Sequence, residues 1–161
     1  MKMIIRFNLK KLLISLAMPL LVGGLSAFIT KDDMDIYKEI ARPPLSPPSW
    51  VFPVAWSILY ILMGISFYLI WNKHDIYADK KRAYLLYFLQ LFLNFIWSPI
   101  FFGAQNYLLA FIILVLLVIT VVFMIVEFYD IERWSALLQI PYLIWLLFAG
   151  YLNLAIYILN R

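Results

Sequence analysis

Three tryptophans lie well inside long apolar stretches of this chain, where an indole ring can contact a flat apolar molecule. They are Trp56, Trp97 and Trp145. Tryptophans of membrane proteins more often lie at the boundary between lipid and water. The remaining three fit that position, because they stand near the ends of apolar stretches: Trp50, Trp71 and Trp134. The three deeper tryptophans are therefore the first candidates for a binding site.

Helical spacing gives two of these tryptophans neighbours on their own face, since residues three, four or seven apart share one side of a helix. The two faces are Trp56 with Tyr60 and Met63, beside Gly64, and Trp145 with Pro141, Ala149, Leu152 and Asn153. Such faces can form a packed aromatic core, or they can enclose a flat ligand through stacking and edge contacts. The residues alone leave both interpretations open.

Trp97 shares its face with two amide side chains, Gln90 and Asn94. An amide surrounded by hydrocarbon needs a hydrogen-bond partner, so we expect both to point into a bundle of helices. They can join helices to each other, at about 1 kcal/mol each. They can equally serve as donors and acceptors in a ligand cavity, and both alternatives remain open.

Several kinds of chemistry are disfavoured by what the chain lacks. It has no cysteine, which excludes disulfides, thiolate catalysis, iron–sulfur clusters and cysteine-ligated zinc. The single histidine, His74, stands in a charged loop and cannot form a metal site alone, so we expect no metal and no cofactor. The absence of charged side chains from the middle of the apolar stretches disfavours proton relays and ion-coupled pumps. No nucleophile–base pair points to hydrolysis or group transfer.

Composition predicts an all-α integral membrane protein with a five transmembrane helix bundle. Of the 161 residues, 66% are hydrophobic and only 14% are charged, whereas soluble domains are about half apolar and a quarter charged. About 20 apolar residues form a helix that crosses a bilayer. Five segments meet this length, and we expect them to form a single membrane domain, 1–161, with helices over about 12–30, 51–71, 83–103, 108–128 and 136–159.

The first segment also resembles a signal peptide, because an apolar run follows Lys2, Arg6, Lys10 and Lys11. Its length and the lack of a convincing small-x-small cleavage site favour a membrane helix. We expect Pro19 to kink this helix or mark local repacking. We expect Gly23 and Gly24 to permit close helix contact.

The distribution of Lys and Arg predicts the orientation. Nine lie on the side of the N-terminus and four on the opposite side. The positive-inside rule then predicts a multi-pass protein of the cell membrane, with the N-terminus cytoplasmic and the C-terminus outside. The long connection 31–49 lies outside, and its prolines make it stiff. The small net charge of +4, confined to loops, indicates the lipid bilayer as a partner and no nucleic acid.

Three motifs, in order, carry a resemblance to a known family. They are Pro43 to Trp71 (P-x-x-x-P-P-x-W-V-F-x-x-x-W-x-x-L-Y-x-x-M-G-x-x-x-Y-L-x-W), Gln90–Gln105 (QLFLNFIWSPIFFGAQ) and Pro141–Asn153 (PYLIWLLFAGYLN). Together with the five-helix count, they resemble the translocator protein / tryptophan-rich sensory protein family (TspO/MBR), also called peripheral-type benzodiazepine receptors. Because the motifs cover much of the chain, the chain is identified as a bacterial member of that family.

The resemblance implies a membrane receptor or sensor, commonly a homodimer, with a pocket between its helices under the first loop. It implies binding of porphyrin-type tetrapyrroles such as protoporphyrin IX and of isoquinoline carboxamide-type ligands. The matching ligand-binding positions are Tyr37, Pro47, Pro48, Trp56, Tyr60, Asn94, Trp97, Trp145, Ala149 and Leu152. An alternative is light- and oxygen-dependent porphyrin degradation, for which Trp56 and Trp145 are the implied catalytic residues. A tetrapyrrole or lipid transporter is a further alternative, which the absence of internal repeats disfavours.

The chain departs from the family pattern at three aromatic positions. Ile36, Leu45 and Leu109 stand where the family often has tryptophan. The resemblance therefore implies a loop and one pocket wall that are less aromatic than is usual in the family. A sterol-type pattern can be matched at the C-terminus, but such patterns are weak in any protein.

Overall fold

Five long helices dominate the chain. A computed structural model describes residues 7–74 and 79–161; Lys2 and Arg6, which entered the orientation prediction, lie outside the described residues. The elements are α1 (Leu9–Thr30), α2 (Ile36–Glu39), α3 (Val51–Asn72), α4 (Lys81–Ser98) continued by a π-helical turn (Pro99–Gly103), α5 (Tyr107–Ile131), α6 (Arg133–Leu137) and α7 (Ile140–Leu159). No strand occurs within these two ranges. Five spans are long and apolar enough to cross a membrane, which confirms the predicted fold class.

Asparagine side chains fix where two of the spanning helices begin. The Oδ1 of Asn8 accepts a hydrogen bond from the Lys11 N–H at 3.0 Å, and the Oδ1 of Asn106 accepts one from the Leu109 N–H at 3.0 Å. Each cap satisfies a backbone donor that the first helical turn leaves free. The helices α1 and α5 therefore begin at Leu9 and Tyr107, slightly before the apolar runs that predicted them.

Two of the expected helices are interrupted at prolines. Pro99 has no N–H to donate to the Phe95 carbonyl, and the helix changes there to a π-helical turn. The freed Phe95 oxygen accepts a hydrogen bond from Ser26 Oγ of α1 at 3.2 Å. Pro141 likewise cannot donate to Leu137, and the expected helix 136–159 is divided into α6 and α7. The apolar runs predicted the membrane-spanning segments, but two of these segments are divided near a proline.

Glycine allows α1 and α3 to pack closely. A Cβ on Gly64 would lie 2.8 Å from the Ser15 carbonyl oxygen and 2.8 Å from the Leu16 Cα. A Cβ on Gly23 would lie 2.1 Å from the Tyr60 ring, which confirms that Gly23 serves a close helix contact. Gly24 makes no such contact within the described part of the chain, because nothing there lies within 4 Å of a built Cβ.

The spanning helices are arranged in a ring, and side chains fill the gap between α3 and α7. α1 packs against α3 and α4, α4 packs against α5, and α5 packs against α7. α3 and α7 meet through aromatic rings, such as Trp56 and Trp145 with centroids 6.4 Å apart. Trp56 and Trp145 therefore close the ring of helices between α3 and α7.

Candidate functional site

A cavity of about 230 Å³ lies between α1, α3 and α4, beneath the connection from Lys31 to Trp50. Its walls are mostly apolar, with polar groups at a few positions. The lining residues are Gly23, Ser26, Ala27 and Thr30 of α1; Met34, Asp35, Tyr37, Lys38 and Ser49 of the connection; Phe52, Pro53, Trp56 and Tyr60 of α3; and Asn94, Trp97, Ser98 and Phe102 of α4 and its π-helical turn. A few convergent polar groups in an apolar cavity are typical of small-molecule sites.

Trp56 and Tyr60 form a continuous aromatic wall. Their rings are stacked, with centroids 5.4 Å apart and planes 25° apart. Trp56 is held from behind by edge contacts to Tyr142, at 6.1 Å, and to Trp145, at 6.4 Å. Offset stacking and edge-to-face contacts are the favoured arrangements of aromatic pairs. Both residues line the cavity, so this part of its wall is aromatic.

A chain of hydrogen bonds runs from this wall into the protein interior. The Tyr60 hydroxyl donates to Asn94 Oδ1 at 2.8 Å, and Asn94 Nδ2 donates to the Tyr142 hydroxyl at 3.0 Å. That hydroxyl donates to Gln90 Oε1 at 2.9 Å. Gln90 is fully buried and joins helices, whereas Asn94 both joins helices and lines the cavity. Of the two alternatives for the amides, joining helices therefore describes Gln90, and a place in a cavity describes Asn94.

Trp97 is fixed by a second polar pair. Its Nε1 donates to Asn153 Oδ1 at 3.0 Å, and Asn153 Nδ2 donates to the Tyr107 carbonyl at 2.8 Å. The Trp97 ring also stacks on Phe101, with centroids 5.1 Å apart. Because its N–H is already paired, Trp97 offers the cavity an apolar ring surface rather than a donor.

Tyr37 closes the cavity from the side of the loop. The ring is 5% exposed and meets Phe52 edge-on at 5.2 Å. Its hydroxyl donates to the Pro47 carbonyl at 3.1 Å, so the proline segment holds the tyrosine in place. The outer face of the ring is covered by the Arg42 guanidinium at 5.0 Å. Tyr37 is therefore a lid that two later residues of the loop, Arg42 and Pro47, hold in position.

The loop is attached to the far end of α7. Asn160 Oδ1 accepts from the Ala41 N–H at 3.0 Å, and Asn160 Nδ2 donates to the Ala41 carbonyl at 2.8 Å. The Tyr151 hydroxyl donates to the Pro44 carbonyl at 2.9 Å. These bonds connect the lid to a helix that contributes no residue to the cavity wall itself.

Comparison with known proteins identifies the family. The model of the TspO/MBR family matches residues 15–159. The chain belongs to this family. It is 40% identical over 154 residues to the tryptophan-rich protein TspO of Archaeoglobus fulgidus, covering 95% of this chain and 99% of the relative. It is 35% identical over 133 residues to the human translocator protein (82% and 79%), and 32% identical over 117 residues to the tryptophan-rich sensory protein of Cereibacter sphaeroides (73% and 72%).

Five of the ten ligand-binding positions suggested for this TspO/MBR protein line the cavity together. They are Tyr37, Trp56, Tyr60, Asn94 and Trp97. A sixth, Ala149, borders a void of about 10 Å³ beyond the cavity, which has room for about one water molecule. These positions come from α2, α3, α4 and α7, which are distant in sequence. Their role in ligand binding stays a prediction.

The other four positions lie away from the cavity wall. The Pro47 carbonyl accepts the hydrogen bond from the Tyr37 hydroxyl, and Pro48 borders a shallow outer groove. Leu152 is buried, with 4% exposure. Trp145 stands behind Trp56 and borders an apolar groove between α3 and α7. Its buried Nε1 has no hydrogen-bond partner among residues 7–74 and 79–161. Trp145 therefore supports Trp56, and Pro47 holds Tyr37. Any contact that these four residues make with a ligand also stays a prediction.

The contribution of α1 was missed by sequence reasoning. Gly23 and Ala27 share one helical face, as do Ser26 and Thr30, and all four line the cavity. The Thr30 hydroxyl donates to the Ser26 carbonyl at 2.9 Å, which leaves the Thr30 methyl group to the surroundings. Small residues repeated at a spacing of four could have indicated this wall. Such a pattern usually indicates helix packing. Here Gly23 packs against the Tyr60 ring, and the same stretch of α1 also borders the cavity.

Proposed function

We propose that this member of the TspO/MBR family is a membrane receptor or sensor that binds a porphyrin-type tetrapyrrole, such as protoporphyrin IX, in the cavity beneath Tyr37. The observation that carries the proposal is the aromatic wall of Trp56 and Tyr60, which both line a mostly apolar space. A macrocycle can contact such a wall through stacking and edge contacts. The isoquinoline carboxamide class shares the required flat aromatic shape.

The polar groups of the cavity support the same ligand class. Asn94 is tied to Tyr60 and Tyr142, so its amide is oriented in advance. Preorganised groups avoid part of the entropic cost of binding. Ser26 and Ser98 also lie at the wall and are uncharged. A mostly apolar molecule with a few polar edge atoms matches this arrangement better than a small ion does.

Titration of protoporphyrin IX into the purified protein tests the proposal. We expect saturable quenching of tryptophan fluorescence together with a shift of the porphyrin absorbance band. Ala27→Phe should weaken binding at least tenfold, because a ring at this position fills the cavity. Leu25→Phe is the matched control on the same helix, since Leu25 is 53% exposed and does not line the cavity. Absence of saturation in the wild type, or equal affinity of the two variants, would contradict the proposal.

A second candidate is light-driven breakdown of the bound porphyrin with dioxygen as the oxidant. One observation favours it: Trp56 lies in the cavity wall and makes an edge contact with the indole of Trp145. An indole next to an excited porphyrin can be oxidised without acid–base groups. Illumination in air should consume porphyrin more slowly in Trp56→Phe than in the wild type. Equal rates at equal occupancy would remove this candidate.

We also propose that the N-terminus is cytoplasmic, so that the cavity faces the outer side of the cell membrane. The support is the cluster of basic residues at the bundle end opposite the cavity: Lys10, Lys11, Lys73, Lys80, Lys81, Arg82 and Arg133. Because the chain has no cysteine, a single Ser49→Cys variant in intact cells can be labelled selectively. An impermeant maleimide should label it, and labelling only after lysis would reverse the orientation. A homodimer, which the family resemblance implies, is proposed as well, and light scattering of the purified protein tests it.

A further inference from the structure

Two charged side chains stand at the mouth of an otherwise uncharged cavity. Among the described residues that line it, Asp35 and Lys38 are the ones that carry charge. Lys38 belongs to α2, which also carries the lid residue Tyr37. Lys38 Nζ lies 2.7 Å from Asp35 Oδ1, and both side chains are well exposed, at 65% and 79%. A cation beside the lid is therefore paired with an acid that also borders the cavity.

The size of the cavity decides which part of a tetrapyrrole reaches this pair. Pockets that enclose drug-sized molecules have volumes of about 300–1,000 Å³, and this cavity has about 230 Å³. A porphyrin macrocycle is therefore only partly enclosed, and one edge stays at the mouth. That edge carries the carboxylates, because burying a carboxylate among Phe52, Trp56 and Trp97 would cost its hydration without a compensating charge.

We propose that Lys38 is a specificity-determining residue that binds a carboxylate of the tetrapyrrole at the cavity mouth, where Asp35 holds its ammonium group in the empty protein. This inference rests on the proposed porphyrin binding and adds to it the residue that recognises the acid side chains of the tetrapyrrole. Ligand binding then exchanges one carboxylate partner of Lys38 for another.

The exchange is energetically feasible because the existing ion pair is exposed. Exposed pairs contribute little to stability, since water and salt screen them. The hydrogen bond and the charge of Lys38 hold the pKa of Asp35 below its usual value. Asp35 is therefore ionised at neutral pH and competes with an incoming carboxylate for the same ammonium group.

The neighbouring cations are engaged elsewhere. The Arg42 guanidinium covers the outer face of the Tyr37 ring and borders an outer groove with Pro43 and Pro48. Lys31 lies over the Phe28 ring, with its Nζ 4.7 Å from the centroid. Neither Arg42 nor Lys31 lines the cavity. Arg42 is therefore a matched control, because it removes a positive charge from the same loop but from the opposite side of the lid.

The test compares protoporphyrin IX with its dimethyl ester, which has the same macrocycle without the acid groups. Affinities are measured by tryptophan quenching at low salt, and each is corrected for partition into protein-free micelles. We expect the wild type to prefer the acid over the ester about three- to fivefold, the range of an exposed ion pair. Lys38→Met should abolish the preference for the acid, so that its acid-to-ester affinity ratio falls to about one, whereas Arg42→Met should retain the preference.

Asp35→Asn provides a variant with the opposite expected effect. Removing the competing carboxylate should raise the acid-to-ester affinity ratio about twofold. An acid-to-ester ratio that Lys38→Met leaves unchanged, or that Arg42→Met lowers equally, would overturn the role of Lys38 while porphyrin binding itself stands. If neither porphyrin saturates the wild type, the proposed function fails, and the inference fails with it.

Discussion

The two ends of the helical bundle use the same kinds of residue for opposite purposes. At the end away from the cavity, Phe67 stacks on Tyr87 with centroids 4.3 Å apart, and Tyr87 stacks in turn near Phe128 at 6.3 Å. This closed half comprises residues 63–72, 81–91 and 121–137, and its aromatic rings are packed against each other. In the cavity half, residues 23–60 and 94–107, the stacked pair Trp56 and Tyr60 faces a space instead.

The difference comes from what α1 and the loops place opposite the rings. In the closed half, the α1 backbone at Ser15 and Leu16 fills the position beside Gly64. Ser66 and Ser135 exchange hydrogen bonds with each other's carbonyls at 2.8 and 2.7 Å. Lys73 pairs with Glu132 at 2.6 Å across the same end. In the cavity half, α1 offers small side chains, and the space remains open. Aromatic spacing therefore predicts an inward face, and the residues opposite decide whether that face is core or pocket.

Removing one aromatic ring from each half should give the largest difference in stability between the closed half and the cavity half. Phe67→Ala should lower the free energy of unfolding by about 3 kcal/mol, because the buried ring leaves a void among close partners. Phe52→Ala, beside the cavity, should cost about 1 kcal/mol, since fewer contacts surround that ring. Reversible unfolding by denaturing detergent in mixed micelles measures both. Equal losses would mean that the cavity half is packed as tightly as the closed half.

A glycine series sharpens the comparison at the α1–α3 contact. Gly64→Ala should cost roughly 1–3 kcal/mol, because the new Cβ meets backbone atoms that cannot move away easily. Gly23→Ala should cost less than about 1 kcal/mol, since the Tyr60 ring can rotate into the cavity. That rotation should weaken porphyrin binding, which the same preparations can measure.

Gly24→Ala is the control of this series, because nothing lies within 4 Å of its built Cβ. We expect it to stabilise α1 by about 0.5 kcal/mol through helix propensity alone. Unfolding in mixed micelles compares the three variants directly. A Gly23→Ala loss as large as that of Gly64→Ala would show that Tyr60 is held rigidly, and the difference between the two halves would then lie elsewhere.

The spans could be predicted from sequence because lipid allows few alternatives. An apolar run without charges must satisfy its backbone internally, so the five segments had to be helices. The resemblance carried by the three motifs gave the family. The interruptions at Pro99 and Pro141 were harder to place, since a proline within a span can kink a helix, end it or be accommodated by a neighbour. At Pro99 the Ser26 hydroxyl bonds the carbonyl that the proline leaves free, and at Pro141 the span is divided into α6 and α7.

The candidate site was only partly predictable, because a cavity is the space that the side chains of packed helices leave unfilled. Trp56, Asn94 and Trp97 were identifiable as inward-facing residues, and they do line the cavity. Trp145 has the same helical signature but stands behind Trp56, a distinction that depends on how α3 and α7 pack. Lys38 carried no signal in the sequence beyond being a loop cation. Its position beside the cavity depends on the loop fold around Tyr37.

The smallest effect on stability is expected for the exposed hydrogen bonds that attach the loop of the cavity half to Asn160. Asn160→Ala removes both bonds to Ala41, and exposed hydrogen bonds contribute about 0.5 kcal/mol each. Global stability should therefore change little. The loop should open more often, because local openings depend on the few contacts that hold a segment. Hydrogen exchange at the Ala41 amide should accelerate about fivefold, while amides of the closed half keep their rates.

Tyr151→Phe separates the two attachments of the loop. It removes only the bond to the Pro44 carbonyl and leaves the Ala41 amide paired with Asn160. We expect exchange at Ala41 to change less than twofold in this variant. If Asn160→Ala instead accelerated exchange equally at Ala41 and at closed-half amides such as Tyr87, the two halves would open as one unit. The lid would then be part of the cooperative core, and ligand entry would require a rearrangement of the whole bundle rather than of the loop.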